Sequence, residues 1–384
     1  MGFLNGRVTY ARYQVGGEGP LPFGDEILET LDRHAIGKHA EGADGITFGW
    51  SAGDHVLDLG FGLEKNVIND ALHFAIRIDT DKLPSDLLRA YTKIEIDARA
   101  QLNPSGFASK AQKDEAKEAA RIRAEAESAD GRFLRRKHYP VLWDGQSNTL
   151  FAGTQSSAVL DRLQNLFRDT FDRPLEPISA GSLAAMQAKE RGVERPVEDF
   201  LPAAFLGDDE TAILAFAWSN PDPSRPDFWG NEFLLWLWHT LQHDGDAITL
   251  ADGSEVTVML TKTLMLDCPR GQTGRDSLTD EGPTRLPEAF RALQSGKMPR
   301  KVGLTLVRHG AQYELTLQAE SLAISGPLLP KAEGAAGQEA KVARIDSLRH
   351  LAETLDLLYD AYGRRRTGPD WLGDLGRIRR WLAA

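Results

Sequence analysis

The chain has a single cysteine, Cys268, among 384 residues. One thiol cannot form an intrachain disulfide, and it cannot build a zinc site from several thiolates. Long apolar runs are also missing. The most apolar segment, 233–238, is far shorter than the roughly 20 residues that cross a bilayer. The first residues lack the charged start and the apolar centre of a secretory signal. We therefore expect a soluble protein of the cytoplasm that does not use a membrane.

The patterns of two common enzyme classes do not occur. The sequence has no Walker-type loop to cradle phosphates and no Gly-x-Ser-x-Gly turn to carry a serine nucleophile. We expect no catalytic residue, no metal and no required cofactor.

A partial cofactor motif lies at Val56–Gly62. It resembles the glycine-rich turn of class I methyltransferases, where the backbone approaches a nucleotide, and Asp79 could be the acidic residue that follows. The third glycine is missing, and a predicted strand at His55–Leu59 that ends in a turn explains the pattern equally well. A methyltransferase is therefore a distant alternative.

His239 and His243 are four residues apart on a predicted apolar helix, Asn231–Gln242. This spacing lets two imidazoles share a metal, but no glutamate lies between them and no third ligand is evident. The pattern favours a polar edge on a packed helix. The helix also carries Trp236 and Trp238, which are more typical of core or of a subunit contact.

Two Glu-x-Lys patterns raise the alternative of a metal-dependent nuclease. Glu115-Ala-Lys117 falls on a predicted helix, whereas Glu339-Ala-Lys341 falls in a predicted linker, 330–341. Nuclease carboxylates normally lie on a strand, so solvated charges are the simpler interpretation.

Strand patterns interrupted by helices, without regular βαβ alternation, predict an α+β fold with mixed or antiparallel sheets and long charged helices. A Pro- and Gly-containing segment, 172–181, predicts the boundary between an N-terminal half, 1–180, and a C-terminal half, 181–362. The N-terminal half would include a charged helical tip at about 84–137. A basic tail would follow at 363–384. Other predicted elements are a strand at Ala212–Ala217, a hairpin that turns at Asp252-Gly253, strands at 302–308 and 312–318, and a long helix at Val342–Tyr362.

The net charge is −11, but the basic residues are unevenly distributed. On a helix predicted at 109–128, four of them recur at i, i+3, i+7 and i+11, namely Lys110, Lys113, Lys117 and Arg121. They form a stripe about 80° wide and about 16 Å long, which suits a row of phosphates. A solvated helix laced by pairs such as Asp114–Lys117 would show the same pattern.

Further cations cluster in two places. The first cluster follows the helix and contains Arg132, Arg135, Arg136 and Lys137. The second contains Arg270, Arg275, Arg291, Lys297, Arg300 and Lys301. Concentration of cations in an acidic chain favours contact with phosphates.

Several segments, taken in order, resemble the recombination-associated RdgC family of bacterial DNA-binding proteins. They are Phe3–Tyr10, Gly49-Trp50, Lys82–Ser85, the lysines 110, 113 and 117, Phe133–Arg136, Val141–Asp144, Asp276–Thr279, Ala292–Lys297 and 302–318. The resemblance covers most of 1–180 and about 275–362. No single motif is diagnostic, so the resemblance depends on their order.

The resemblance implies a homodimer closed into a ring around double-stranded DNA, with little sequence preference and limited access for the RecA recombinase. Such a protein would be associated with the nucleoid. By position, the residues facing the duplex would be Lys110, Lys113, Lys117, Arg135 and Arg275. The charge pattern alone adds Arg121, Arg136, Lys137, Lys297, Arg300 and Lys301.

This chain departs from the family in its greater length. Residues 183–268 and those from Gly363 onward do not follow the family pattern. Besides a DNA-binding protein, the sequence leaves open a DNA exonuclease and an acidic scaffold that binds proteins through the Trp-rich helix.

Overall fold

The computed structural model describes residues 2–17, 22–38, 45–128, 130–193, 195, 197–206, 226–269, 271, 273–331 and 334–384. The fold is α+β with antiparallel sheets, as predicted. The predicted strand Ala212–Ala217 and the cation Arg270 lie outside the described residues. No helix in the described ranges is both long and apolar enough to cross a bilayer.

In chain order, the first elements are β1 (Ala11–Val15), α1 (Asp25–Arg33), β2 (Ile46–Ser51), α2 (Leu63–Asn66), β3 (Val67–Ile68), β4 (Ala71–Asp81), α3 (Ser85–Gln101), α4 (Lys110–Ser128), β5 (Leu134–Asp144), β6 (Thr149–Ala152), α5 (Ser157–Phe171) and β7 (Leu175–Pro177). The chain continues with α6 (Ala180–Glu190), α7 (Phe228–His243), β8 (Ala247–Thr249), β9 (Glu255–Asp267), β10 (Asp276–Asp280), α8 (Pro287–Gln294), β11 (Met298–Arg308), β12 (Ala311–Gln318), β13 (Ile324–Leu328), α9 (Gly337–Thr367) and α10 (Trp371–Ala383).

The chain forms two compact units. The first unit contains Met1–Asp25, Gly62–His73 and Pro140–Ala384, and the second contains Glu26–Phe61 and Phe74–Tyr139. Residues on both sides of the predicted boundary at 172–181 belong to the first unit, where this segment supplies β7 and the start of α6. The predicted helical tip at 84–137 belongs to the second unit.

The second unit combines a sheet with a helical hairpin. β2 pairs with β4 in antiparallel register from Ile46↔Thr80 to Ser51↔Ala75, and Trp50 packs edge-on against Phe74. α3 and α4 pack against each other. α4 is rich in Ala, Glu, Lys and Arg, which have high helix propensity, and the residues that it buries are three alanines at i, i+4 and i+8, Ala116, Ala120 and Ala124. Small side chains at this spacing let two helices approach closely.

The first unit contains two antiparallel strand sets. One has the order β7-β1-β6-β5, and the other has the order β10-β9-β11-β12-β13 with β8 beside β9. Tyr10 and Ile324 exchange two backbone hydrogen bonds of 2.9 Å, which connect the two sets. The hairpin of β8 and β9 confirms the predicted turn, where Gly253 has a positive φ of 83°.

The Trp-rich helix α7 lies in the core of the first unit. Its residues from Phe228 to His239 are all buried, as expected for a helix that is apolar on every side. A Cβ at Gly230 would lie 1.8 Å from the Ala319 carbonyl oxygen, so the helix passes directly over the backbone there. The prediction of a packed helix is confirmed. This burial argues against a scaffold that presents the helix to other proteins.

The C-terminal region differs from the prediction. α9 spans 31 residues and includes Glu339 and Lys341 in its first turns, so these residues do not lie in a linker. It ends at Thr367 and is followed by α10, which buries Trp371, Ile378 and Trp381. The basic residues at 363–384 therefore belong to packed helices. The sequence prediction followed their charge and overlooked the apolar residues between them.

A buried ion pair fixes α7 to α9. Glu232 accepts hydrogen bonds of 2.8 Å from both Arg366 Nε and the Tyr362 hydroxyl, and its other oxygen accepts one of 2.6 Å from the Ala203 amide. Glu232 is fully buried and the Arg366 side chain is 7% exposed. Burial and the nearby Glu232 carboxylate raise the pKa of Tyr362 well above its usual value.

We expect Glu232→Met to destabilise the fold by about 3–5 kcal/mol, because Arg366 would keep a buried charge with no partner. Urea denaturation measures the change in the free energy of unfolding. The double variant Glu232→Met/Arg366→Met should regain most of the loss. Equal stability of the single and double variants would show that the unpaired charge is not the cause.

Candidate nucleic-acid interface

The four predicted cations of α4 all lie on its exposed surface. Lys113, Lys117 and Arg121 lie four residues apart, and so do the buried alanines of α4. The line of cations therefore runs along the helix parallel to the line of buried alanines. Lys110 extends the row toward the start of the helix. We call Lys110, Lys113, Lys117 and Arg121 the α4 row.

Half of the α4 row is engaged in surface ion pairs. Lys117 Nζ lies 3.2 Å from Asp114, and Arg121 lies 2.9 Å from Glu118 and 3.3 Å from Glu125. Hydrogen bonding from Arg121 lowers the pKa of Glu118. Among the described residues, Lys110 and Lys113 form no ion pair. Exposed ion pairs are weak because water screens them, so these cations can exchange a carboxylate for a phosphate.

The start of β5 carries three consecutive exposed cations, Arg135, Arg136 and Lys137. Successive side chains of a strand point to opposite faces, so Arg135 and Lys137 share one face. Arg136 is on the other face, where its Nε lies 3.7 Å from Asp79. The same carboxylate is held by Arg77 through bonds of 2.7 and 2.5 Å.

These ion pairs weaken the prediction of a cofactor site at Val56–Gly62. Asp79 is the acidic residue of that motif, and it is already paired with Arg77 and Arg136. The strand predicted at His55–Leu59 is wrong, since residues 55–57 form a turn. The Asp58 carboxylate accepts hydrogen bonds from the amides of Asp54 (3.2 Å) and Gly60 (3.3 Å), which bends the backbone. Without a strand that leads into the glycines, the methyltransferase alternative loses its structural basis.

The second predicted cluster lies in the first unit and is largely neutralised. Arg300 is 14% exposed and contacts Asp267 at 3.3 Å and Glu320 at 2.9 Å. Lys297 is 11% exposed and lies 2.7 Å from Asp276. Because both cations are mostly buried in ion pairs, we leave Lys297 and Arg300 out of the candidate interface.

Arg291 of α8 is exposed, and two further residues of that cluster are more accessible than Lys297 and Arg300. Arg275 is 54% exposed and lies 3.2 Å from Asp267. Lys301 is half-buried on β11, paired in register with Gln318 of β12. They stay predicted contacts of the first unit.

The histidine pair of α7 forms a polar edge on a packed helix. The rings of His239 and His243 are 4.6 Å apart, and both contact Trp381. Among the residues that the structure describes, no three histidine, cysteine or acidic side chains are placed to share a metal ion. Both Glu-x-Lys patterns lie on helices, α4 and α9, which gives no support to the nuclease alternative.

An exposed apolar tip was missed in the sequence. Leu102 is 82% exposed and Phe107 is 78% exposed, and both lie in the turn between α3 and α4. The sequence does contain a signal for this tip. Two large apolar residues flank the turn Asn103–Gly106, and both lie outside the predicted helices, where no helix face would bury them.

No protein-family model and no curated protein matches this chain. Membership of the RdgC family therefore stays a hypothesis, which depends on the order of the sequence segments that resemble that family.

We expect the stability of the first unit to depend on His239 in mildly acidic solution. Burial, with a smaller effect of His243, lowers the pKa of His239 to about 4. The ordinary value is about 6.5, so between these pH values the unfolded chain binds the proton more readily, and the free energy of unfolding falls as the pH falls. Above about pH 6.5 this loss is absent.

The test compares urea denaturation at pH 7 and pH 4.5. His239→Leu should reduce the difference in unfolding free energy between the two pH values, whereas the control Gln242→Leu, which removes no titratable group from an exposed position of the same helix, should leave it unchanged. The same pH dependence in His239→Leu as in the original chain would contradict this explanation.

Proposed function

We propose that this protein binds double-stranded DNA through its phosphates, with little sequence preference. The contacts come from the α4 row together with Arg135, Arg136 and Lys137. Arg275 and Lys301 are further proposed contacts from the first unit. Binding of this kind neutralises backbone charge and involves no reaction.

The observation that carries the proposal is the local charge. Residues 82–137 contain 13 Lys and Arg against 9 Asp and Glu, a net charge of +4, in a chain whose net charge is −11. The remaining residues therefore carry −15. The excess comes from Lys82 and from the cations at 132–137, because the helical hairpin itself, 85–128, carries eight cations and eight acidic residues. An acidic protein attracts a polyanion most strongly where its local charge is positive.

The geometry of α4 is suited to a duplex. The α4 row is about 16 Å long, and duplex DNA carries one charge per about 1.7 Å of its axis, so roughly nine phosphates lie within that length. The helix is rigid, and its cations have long side chains that adapt to the path of the phosphates. Since no base-reading element is needed, the binding is insensitive to sequence.

We also propose that two copies assemble around one duplex and thereby limit the access of the RecA recombinase, as the resemblance to the RdgC family implies. The protein would then act at the nucleoid.

The salt dependence of DNA binding tests the α4 row. Changing Lys110, Lys113, Lys117 and Arg121 together to Ala should reduce the slope of log affinity against log salt by up to about 3.6, because each phosphate neutralised contributes about 0.9. Fluorescence anisotropy with a labelled duplex measures the slope between roughly 50 and 200 mM salt, a range over which binding through phosphates weakens by orders of magnitude.

The matched control removes four exposed cations elsewhere, Arg168, Lys189, Arg285 and Arg380. This control should keep the original slope. If both variants reduce it equally, overall charge drives binding and the α4 row is not the interface. Gel analysis of the same duplex with Mg²⁺ or Mn²⁺ separates binding from cleavage, because a nuclease shortens the DNA and a binding protein leaves it intact.

Light scattering tests the assembly. We expect twice the mass of one chain in the absence of DNA, and one dimer per short duplex in its presence. A single-chain mass under both conditions would contradict a dimer that surrounds DNA.

A further inference from the structure

The hairpin of α3 and α4 ends in a short turn that presents two large apolar side chains to solvent. Leu102 closes α3 and is 82% exposed, and Phe107 precedes the start of α4 by three residues and is 78% exposed. Single exposed apolar residues are ordinary on a protein surface, whereas several close together indicate a binding surface. We call Leu102 and Phe107 the apolar tip.

The backbone on both sides of Phe107 is held by side-chain hydrogen bonds. Asn103 Nδ2 donates to the Phe107 carbonyl and to Gln112 Oε1, both at 2.7 Å. Ser109 and Gln112 cap the start of α4 reciprocally. The Ser109 amide donates to Gln112 Oε1 at 2.9 Å, and the Gln112 amide donates to Ser109 Oγ at 3.3 Å. A turn that is ordered before it meets a partner loses little conformational entropy on binding.

The charge around the apolar tip is positive. Residues 98–113 contain three Lys and Arg and no Asp or Glu, although acidic residues outnumber basic ones in the whole chain by 56 to 45. Lys110 and Lys113 follow the tip, and neither forms an ion pair among the described residues. The surroundings of the tip therefore attract an anionic partner.

Duplex DNA and an anionic bilayer both combine a negative surface with an apolar interior, and the direction of the α4 row favours DNA. The row extends about 16 Å from Lys110 to Arg121. In a hairpin that entered a bilayer by its tip, Arg121 would lie about two Debye lengths, each about 8 Å, from the lipid phosphates. A duplex, by contrast, can run along the whole row while its bases lie beside the tip.

The apolar tip is also close enough to the α4 row to reach the bases. Three residues of chain separate Phe107 from Lys110 and span at most about 11 Å. The minor groove of DNA is about 6 Å wide, so a side chain this close to a lysine on a phosphate lies at the edge of a groove. Phe and Leu are among the side chains that insert between base steps there and unstack them.

We propose that the apolar tip inserts between neighbouring base pairs, so that the protein favours a duplex that is already unstacked at one point, for example at a mismatch. This inference rests on the proposed DNA binding and adds to it a preference for one structural class of duplex. The cations bind any sequence through its phosphates. The tip adds selectivity, because unstacking an intact duplex has a free-energy cost of which a mismatch removes part.

Fluorescence anisotropy with two labelled duplexes that differ by one central mismatch tests the proposal. The original chain should bind the mismatched duplex about tenfold more tightly, because less unstacking is needed there. Leu102→Ser with Phe107→Ser should bind both duplexes with the same affinity. The control Leu57→Ser with Leu59→Ser replaces two exposed leucines of another loop in the second unit and should keep the preference.

A fluorescent aminopurine base in the paired duplex reports insertion directly, because its emission increases when the base unstacks. Saturating amounts of the original chain should increase the emission, and saturating amounts of the Leu102/Phe107 double variant should not. Equal affinity of the original chain for both duplexes, without an increase in emission, would overturn this inference and leave the proposed function in place. Absence of binding to either duplex would overturn both.

Two further measurements address the other partners of an apolar tip. Light scattering gives the mass of the double variant, and sedimentation with vesicles of phosphatidylserine and phosphatidylcholine measures binding to an anionic bilayer. We expect the double variant to keep the mass of the original chain and neither protein to sediment with the vesicles. A lower mass would show that the tip contacts a second copy, and sedimentation that depends on the tip would show that it enters a bilayer. Either result would overturn the proposal.

Discussion

Buried arginines, each paired with a carboxylate of α9, hold this helix in its place in the first unit. Arg12 of β1 meets Asp356, and Arg308 of β11, whose side chain is 2% exposed, meets Glu353 at 2.9 Å. A guanidinium buried without its carboxylate is strongly destabilising. Any shift of α9 along its axis would separate several such pairs at once, so its register against both strand sets is fixed. The packing of α7 and α10 depends on that register.

Ion pairs of the same chemistry serve different purposes in the two units. In the first unit several arginines, among them Arg12, Arg300 and Arg366, are buried, so each of them needs its carboxylate. On α4 they are exposed and screened by water, so Lys117 and Arg121 can leave Asp114 and Glu118 for a stronger polyanion at little cost. This difference in burial separates cations that serve the fold from cations that are available to a phosphate backbone.

Much of the fold could be predicted because it depends on short-range patterns. The hairpin at Asp252-Gly253 and the helix at 110–128 follow from turn chemistry and helix propensity, which act within a few residues. The errors arose where a local pattern was ambiguous. His55–Leu59 alternates like a strand, but the Asp58 carboxylate holds a turn there, and the residues after Gly363 are basic enough to resemble a tail although Trp371 and Trp381 are buried.

The sequence by itself determined the α+β class, the existence of the α4 row and the position of the Trp-rich helix in a core, because periodicity, charge spacing and apolar content are written directly in the residues. Only the tertiary structure decided which cations are accessible. Lys297 and Arg300 have the same charge as Lys110 and Lys113, yet they are paired with acids up to 33 residues away along the chain. Burial and pairing depend on contacts between distant segments, and a linear sequence does not contain those distances.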